Sequence, residues 1–413
     1  MANTEKRVVV TGMGVIHALG SDPDILWSAI ASGESGVSAI ESEEFARFPT
    51  RIAATVEDFP EERYLDRKEA KNWDRFSRFA VWASLQAWER AEAAKAGFAG
   101  GRIGVWLGTG IGGAETLLRA NDSLARPEGW RVSPYTIPMM ITNMGAGLVS
   151  MAIGARGPCL APVSACATGN NAIGEAFLAI RDGRVDAAVA GGAEAPILPV
   201  AFAGFNSMRA MSTRNADPKA ACAPYSRDRD GFVMGEGAGV LVLEERDVAL
   251  RRGADILAEI VGYGATADAH HLTAPDPEGR EAAAAMRLAA AMAGWTPASV
   301  DYVNAHGTGT PVGDIAETKA LKLFSAGGKT PPMSSTKAAT GHLFGAAGGI
   351  EAILTIQTIR HGLLPPTLNL REPDPECDLD YVPLKAREAE VRRALSNGFG
   401  FGGHNAVLAF ARA

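Results

Sequence analysis

Three side chains that could act together as a nucleophile and its acid–base partners stand far apart in this sequence of 413 residues. Cys166 lies in S-A-C-A-T-G, and His306 lies in N-A-H-G-T-G-T-P. His342 ends the run T-K-A-A-T-G-H, with Lys337 five residues before it. Because a cysteine next to a histidine base is an activated nucleophile, these residues first indicate acyl transfer through a thioester.

The second histidine and the lysine are more than a simple thiol hydrolase needs. Two imidazoles beside a thiol suit a further step in which charge develops, such as an enolate formed by loss of CO2 from a bound acyl group. A structural role is the alternative for each residue, since free cysteines are among the most buried residues and most single histidines are structural. All three lie in glycine-rich turns, which favours a shared site.

A helix is predicted directly after Cys166. Ala172, Ala176 and Ile180 recur at helical spacing, and Gly183 stands where a left-handed cap would end the helix. Cys166 is therefore expected at or just before a helix N-terminus, where unpaired N–H groups and the helix dipole favour a thiolate over a thiol.

Strands alternate with helices along the chain, which predicts an α/β fold with helices on the faces of its sheets. V-W-L-G-T-G resembles Y-V-N-A-H-G-T-G, and a helix ending I-R-D-G resembles one ending I-R-H-G, so we predict a duplication with halves 1–253 and 254–413. Strands are predicted at 7–11, 103–107, 185–190, 238–243, 256–264, 301–305, 330–335 and 406–410, helices at 76–94, 281–293 and 345–361, and a glycine-rich loop at 396–405.

The glycine run 108–113, G-T-G-I-G-G, could be mistaken for a phosphate loop. It lacks the Lys-Ser/Thr pair of a nucleotide-binding P-loop and the G-x-G-x-x-G spacing of a dinucleotide site. We interpret it as a tight turn that lines a cavity.

Composition excludes several classes of protein. The net charge of −7 does not favour nucleic-acid binding. Four cysteines without a C-x-x-C pair predict neither a disulfide scaffold nor a zinc site. No leader-like or membrane-spanning apolar run is found, so a cytoplasmic protein without membrane contact is expected.

Five motifs together resemble one family: A-C-A-T-G, H-G-T-G-T-P, K-x-x-x-G-H, R-D-G-F-V-M-G-E-G-A-G and G-F-G-G-H-N. Over essentially its whole length the chain is similar to the β-ketoacyl-acyl carrier protein synthases, specifically the elongating bacterial type II class (synthase II). The resemblance implies a thiolase-like fold, which is a duplicated five-layered α-β-α-β-α sandwich, and a homodimer. It also implies decarboxylative condensation of a malonyl group with an acyl chain, without a separate cofactor or metal.

The resemblance assigns roles to residues by motif. Cys166 would take the acyl chain, His306 and His342 would bind the malonyl thioester carbonyl, and Lys337 would support the histidines. The backbone N–H groups of Cys166 and Phe401 would form the oxyanion hole. The residues that the resemblance places around the pantetheine arm and the acyl pocket are Thr273, Thr308, Thr310, Ile111, Phe399 and Gly400.

An acyl carrier protein is the implied partner, and it is strongly acidic in these systems, so it would dock on basic residues. The matching positions are Lys68, Lys71, Arg131 and Arg209. Two departures concern this contact: Trp130 stands where relatives often have a basic residue, and His270 where they often have tyrosine.

Related activities remain as alternatives. A chain-length factor lacks the nucleophile that Cys166 supplies, and a degradative thiolase needs a second active cysteine for which Cys377 has the wrong context. Initiating synthases pair cysteine with histidine and asparagine, whereas His342 indicates an elongating enzyme. A ketosynthase for a polyketide or another specialised product stays open, and the pocket near Ile111, Ile137, Met140 and Phe205 would decide it.

Overall fold

Ten strands form one continuous sheet in the computed structural model, which describes residues 5–127 and 130–413. The first four residues of the predicted N-terminal half lie outside the described residues. In chain order the strands are β1 (Val8–Ile16), β2 (Ile103–Gly108), β3 (Cys159–Leu160), β4 (Ala187–Glu194), β5 (Gly237–Glu245), β6 (Ala258–Ala267), β7 (Tyr302–Asn304), β8 (Met333–Ser334), β9 (Arg393–Gly400) and β10 (His404–Ala411).

The two halves of the chain repeat one strand topology. The sheet order is β3-β2-β4-β5-β1-β6-β10-β9-β7-β8. In the N-terminal half, β1–β5 and β5–β4 are antiparallel pairs, and β4–β2 and β2–β3 are parallel pairs. In the C-terminal half, β6–β10 and β10–β9 are antiparallel, and β9–β7 and β7–β8 are parallel. The halves join where Val8–Val10 pairs with Ala258–Ile260, so the weak sequence echo corresponds to a structural repeat.

Six helices cover the sheet and complete five layers. They are α1 (Arg75–Arg90), α2 (Met144–Ile153), α3 (Thr168–Arg181), α4 (Arg280–Met292), α5 (Pro311–Phe324) and α6 (Ala347–His361). α1 and α2 pack on the N-terminal strands, α4 packs on the C-terminal strands with α5 beside it, and α3 and α6 contact strands of both halves. This is the duplicated α-β-α-β-α sandwich of the thiolase-like fold.

The two central helices are largely buried because each packs against strands of both halves. In α6 every residue from Ala347 to Ile359 is buried. A Cβ on Gly169 of α3 would lie 2.7 Å from the backbone nitrogen of Gly349, so glycine lets the two helices approach closely. This close approach brings the N-terminal ends of α3 and α6 together.

Shorter elements connect these layers. The remaining helices are Pro23–Ala31, Arg67–Ala70, Ala114–Leu124, Thr136–Met140, Pro199–Ser207, Pro218–Ala221, Arg246–Arg251 and Lys337–Thr340. The remaining strands are Ser38–Ala39, Ile52–Ala54, Met234–Gly235, Leu363–Leu364 and Arg387–Glu388. Within the described ranges, no helix combines the length and the apolar character that crossing a membrane requires.

The prediction of a glycine-rich loop at 396–405 is wrong for most of these residues. Residues up to Gly400 belong to β9, which pairs with β7 on one side and β10 on the other, and His404 already begins β10. Glycine, serine and asparagine have low strand propensity, but antiparallel pairing with β10, which extends to Gly400, overrides it here. A Cβ on Gly398 would lie 2.9 Å from the side chain of Asn170 in α3, which accounts for one of these glycines.

Candidate active site

Cys166 lies in a single helical turn, Ala165–Ala167, that runs directly into α3. Ala165 has a φ of 50°, a left-handed conformation that a residue with a Cβ adopts at some cost and that is frequent at functional sites. Gly183, after the last turn of α3, has a φ of 72°, as the predicted cap requires. The cysteine is thus held at a sharp turn before a helix N-terminus.

Hydrogen bonds hold this turn from both halves of the chain. The Thr168 hydroxyl accepts a hydrogen bond from the Ser164 backbone N–H at 2.8 Å. Asn171 donates to the Ser164 hydroxyl at 2.6 Å and accepts from the Tyr263 hydroxyl at 2.7 Å. Since Tyr263 belongs to β6, the C-terminal half helps to fix the position of Cys166.

The structure brings the cysteine and both histidines together. Nε2 of His342 lies 2.9 Å from Sγ of Cys166, and the two imidazole rings are perpendicular with centroids 5.4 Å apart. One ligand-type atom from each of Cys166, His306 and His342 lies within 4.8 Å of the others. His306 follows β7, and His342 follows the short helix after β8, so both histidines come from the strand ends of the C-terminal half.

Burial sets the resting protonation state of this trio. It raises the pKa of the Cys166 thiol to about 12, although the Lys337 charge and the backbone N–H groups of Phe401 and Cys166 act in the opposite direction. Burial, followed by the charge on Lys337, lowers the pKa of both His306 and His342 well below 6.5. The resting pair is therefore a thiol and a neutral imidazole, and the thiolate expected from the helix N-terminus is wrong for this state because desolvation outweighs the Lys337 charge and the backbone N–H donors.

Lys337 is fully buried behind the histidines and forms an ion pair with Glu351 of α6. Burial raises the pKa of Glu351 to about 7, and the charge on Lys337 acts to lower it. A buried pair of this kind is costly to break, because either partner alone would be an uncompensated charge. The lysine therefore acts on the site through its charge, since it does not line the cavity itself.

Two buried carboxylates that the sequence analysis missed hold the loops of the site. Glu317 accepts hydrogen bonds from the backbone N–H groups of His306 at 2.8 Å and Gly307 at 2.7 Å. Glu194 accepts from the N–H groups of Gly110 at 2.5 Å and Gly345 at 2.9 Å, which joins loops of the two halves. Glu194 lies among small and apolar residues in A-G-G-A-E-A-P-I, and this local contrast could have identified it, whereas Glu317 in D-I-A-E-T-K offers no such contrast.

A cavity of about 380 Å³ opens onto Cys166, His306 and His342. The predicted substrate residues Ile111, Thr273, Thr308, Thr310, Phe399, Gly400 and Phe401 all line it. Aromatic rings form part of its wall, with Phe205 stacked on Phe344 at 5.2 Å. Rings of this kind suit an acyl chain, and the threonine hydroxyls suit an arm that carries amides.

The turn after β9 passes directly over the nucleophile. A Cβ on Gly400 would lie 2.7 Å from the backbone oxygen of Ser164 and 3.1 Å from the nitrogen of Cys166, so only glycine fits at this position. The next residue is Phe401, whose backbone N–H reaches the Cys166 sulfur. Two backbone donors are thus directed at one point beside the sulfur.

The four basic residues predicted to bind the carrier are all exposed: Lys68, Lys71, Arg131 and Arg209. Arg209 lines the cavity, and the Arg131 guanidinium lies 4.4 Å from the centroid of the Trp130 ring. Over residues 5–127 and 130–413, none of the four forms an ion pair. Of the predicted pocket residues, Phe205 lines the cavity, whereas Ile137 is 62% exposed on the surface and Met140 lies outside the cavity wall.

One group of residues could hold a metal ion. Within the described ranges, Cys166, His306 and His342 form the one cluster of three or more histidine, cysteine or acidic side chains with ligand atoms close enough to share an ion. A sulfur and two ring nitrogens of this kind suit zinc.

Two sequence-family profiles match the chain: "Beta-ketoacyl synthase, N-terminal domain" over residues 5–249 and "Beta-ketoacyl synthase, C-terminal domain" over residues 257–371. A Synechocystis sp. protein named 3-oxoacyl-(acyl-carrier-protein) synthase 2 is 49% identical over 412 residues, which cover 99% of each chain. A protein of the same name from Staphylococcus aureus is 48% identical over 406 residues, covering 98% of each chain.

Solved structures share this fold over nearly the whole chain. A type II PKS acyl-carrier protein in complex with its ketosynthase bound to the hexaketide includes a chain with a TM-score of 0.91 and 31% identity, covering 99% of this chain and 100% of that one.

Proposed function

The chain belongs to the β-ketoacyl synthase family, and we propose on this premise that it extends acyl chains by decarboxylative Claisen condensation in fatty acid elongation. Cys166 holds the acyl chain, malonyl-acyl carrier protein supplies two carbons, and the product is a β-ketoacyl-acyl carrier protein. The observation that carries this proposal is the 2.9 Å contact between His342 Nε2 and Cys166 Sγ, with His306 in the same cavity.

In the first step the neutral His342 ring accepts the proton of the Cys166 thiol as the sulfur attacks the carrier thioester. The C–S bond to the carrier arm breaks, and the carrier thiol leaves with a proton. The N–H groups of Cys166 and Phe401 face the tetrahedral oxyanion, and each donor of this kind contributes about 3 kcal/mol. A buried neutral pair suits this step, because charge appears only as the reaction proceeds.

In the second step the malonyl thioester enters the same cavity. Loss of CO2 leaves an enolate whose oxygen accepts hydrogen bonds from the N–H groups of His306 and His342. Both rings are neutral at rest, so each carries one N–H, and His342 donates here from Nε2, in the tautomer opposite to the one that accepts the thiol proton. The enolate carbon attacks the acyl-cysteine carbonyl, a carbon–carbon bond forms, and the Cys166 sulfur is released.

Condensation is tested by incubating the purified chain with acyl-carrier and malonyl-carrier substrates. Mass spectrometry should detect a β-ketoacyl thioester that is two carbons longer than the starting acyl group, with one CO2 released per product. A specialised polyketide synthase would instead add several units without reduction, and chains of repeated ketones would be the result that favours this second candidate. The absence of both products would contradict the proposal.

The carrier protein is proposed to dock at Lys68, Lys71, Arg131 and Arg209. Their support is their exposure, their lack of ion pairs in the described part of the chain, and the position of Arg209 at the cavity. The carboxylates of an acidic partner would pair with these unpaired cations at the interface. We propose no separate cofactor, because both substrates arrive on the carrier, and a cytoplasmic location, which suits four free cysteines.

The halves 1–253 and 254–413 are proposed as the two repeats, supported by their matching strand order. A homodimer is proposed through the free edge of β3. This short strand pairs with β2 on one side only, and apolar side chains near it are exposed, including Leu160 at 55%, Val163 at 52% and Met151 at 66%. An exposed apolar strand edge of this kind favours pairing with a second copy.

The dimer predicts a solution mass of twice the chain mass in light scattering. Leu160→Lys places a charge at the centre of this surface and should shift the protein towards monomer, because the buried charge lacks a partner. Leu288→Lys is the matched control, since Leu288 is 49% exposed on α4 in the opposite outer layer. A monomeric wild-type chain, or equal masses for the two variants, would contradict this interface.

A further inference from the structure

The three reactive side chains of the cavity also have the composition of a zinc site with one open position. Sγ of Cys166 and a ring nitrogen of each of His306 and His342 lie within 4.8 Å of one another. In tetrahedral zinc sites, with Zn–S near 2.3 Å and Zn–N near 2.0–2.1 Å, ligand atoms are about 3.3–3.6 Å apart. Side-chain movements of about 1 Å bring the observed atoms into that range.

The state of the ligands supports metal binding. Nδ1 of both imidazoles is buried without a hydrogen-bond partner in the described part of the chain. The cavity beside them provides an entry path and room for a water molecule at the fourth position.

The positive charge of Lys337 opposes the binding of a cation and lowers the expected affinity for zinc. Lys337 stands behind the rings and is paired with Glu351, but its positive charge still acts on all three side chains. The thiolate formed on binding adds a further negative charge. Binding is therefore expected to be reversible and weaker than in a structural zinc site, where four protein ligands close around the ion.

We propose that Cys166, His306 and His342 form an inhibitory zinc site. The ion displaces the proton of the Cys166 thiol to solvent, a Zn–S bond forms, the two imidazoles complete three protein ligands, and water takes the fourth position. A sulfur bound to zinc no longer attacks a thioester, so the bound ion prevents acylation. The ligands come from three separate loops, so local cysteine spacing could not indicate this site.

Zinc binding is measured directly on metal-free protein by competition with a chromophoric chelator, with Mg²⁺ as the control ion. We expect one Zn²⁺ per chain, and at least tenfold weaker binding in Cys166→Ala and in His306→Ala. His361→Ala is the matched control, because His361 is exposed at the end of α6 and should leave the affinity unchanged. Unchanged zinc affinity in Cys166→Ala would overturn the proposal.

A second measurement uses the unaltered protein, so misfolding of a variant does not affect it. Alkylation of Cys166 by iodoacetamide, followed by mass spectrometry of its peptide, should slow about tenfold when free zinc is ten times the dissociation constant. Added EDTA should restore the original rate. An alkylation rate that does not respond to zinc would refute the site, and because no acyl substrate is used, this result is independent of the condensation assay.

Discussion

Cys166→Ala should lower the rate of condensation by at least ~10⁴-fold, as removal of a catalytic nucleophile does in other enzymes. Alanine leaves the cavity and both histidines in place but removes the only atom that can hold the acyl chain there. The 3-10 turn at Ala165–Ala167 accepts alanine without a change in backbone, so the fold is expected to persist. The measurement is formation of the β-ketoacyl thioester, together with the mass of the protein after incubation with acyl-carrier alone, which should show no acyl adduct.

Cys159→Ala is the matched control for this prediction. It makes the same substitution at a cysteine of β3, away from the cavity, and leaves the backbone edge and Leu160 of the proposed dimer contact intact, so wild-type rates should persist. Cys166→Gln is expected to separate the two steps: it abolishes acyl transfer but retains release of CO2 from malonyl-carrier, because both histidines remain. Full condensation by Cys166→Ala would show that the chemistry occurs without this sulfur.

His306→Ala and His342→Ala should each lower malonyl decarboxylation by about 10²–10³-fold, the usual cost of losing one donor to a developing oxyanion. Their effects on acylation of Cys166 should differ. His342 lies 2.9 Å from the sulfur and accepts its proton, whereas His306 makes no hydrogen bond to it within the described residues. We expect at least 10²-fold slower acylation in His342→Ala and less than a tenfold change in His306→Ala, measured by single-turnover mass spectrometry.

The protonation of these rings also predicts a pH profile. Because the pKa of His342 is lowered well below 6.5, the ring stays a neutral base as the pH falls through 6.5, where an ordinary histidine would gain a proton. Acylation should therefore remain flat from pH 7.5 to pH 6 and decline only in more acidic solution. An acylation rate that halves near pH 6.5, or equal acylation rates in the two histidine variants, would contradict the role given to His342, with His361→Ala as the control for histidine replacement.

Much of the framework could be predicted because its signals are local. α1 was predicted at 76–94 and is observed at Arg75–Arg90, and α6 was predicted at 345–361 and is observed at Ala347–His361. Apolar periodicity and a terminal glycine are properties of ten to twenty neighbouring residues. β9 escaped prediction because its glycines, serine and asparagine form a strand only where the distant β10 pairs with them.

The amino-acid sequence by itself determined which side chains can react, that Cys166 precedes a helix, that the chain is duplicated, and which family its motifs match. Only the tertiary structure decided the 2.9 Å contact between cysteine and histidine, the neutral state of that pair, and the carboxylates Glu194 and Glu317 that hold the loops. The reason is that backbone preference and periodicity act between residues close in the chain. Desolvation and charge–charge interactions depend on groups that folding brings together from distant positions.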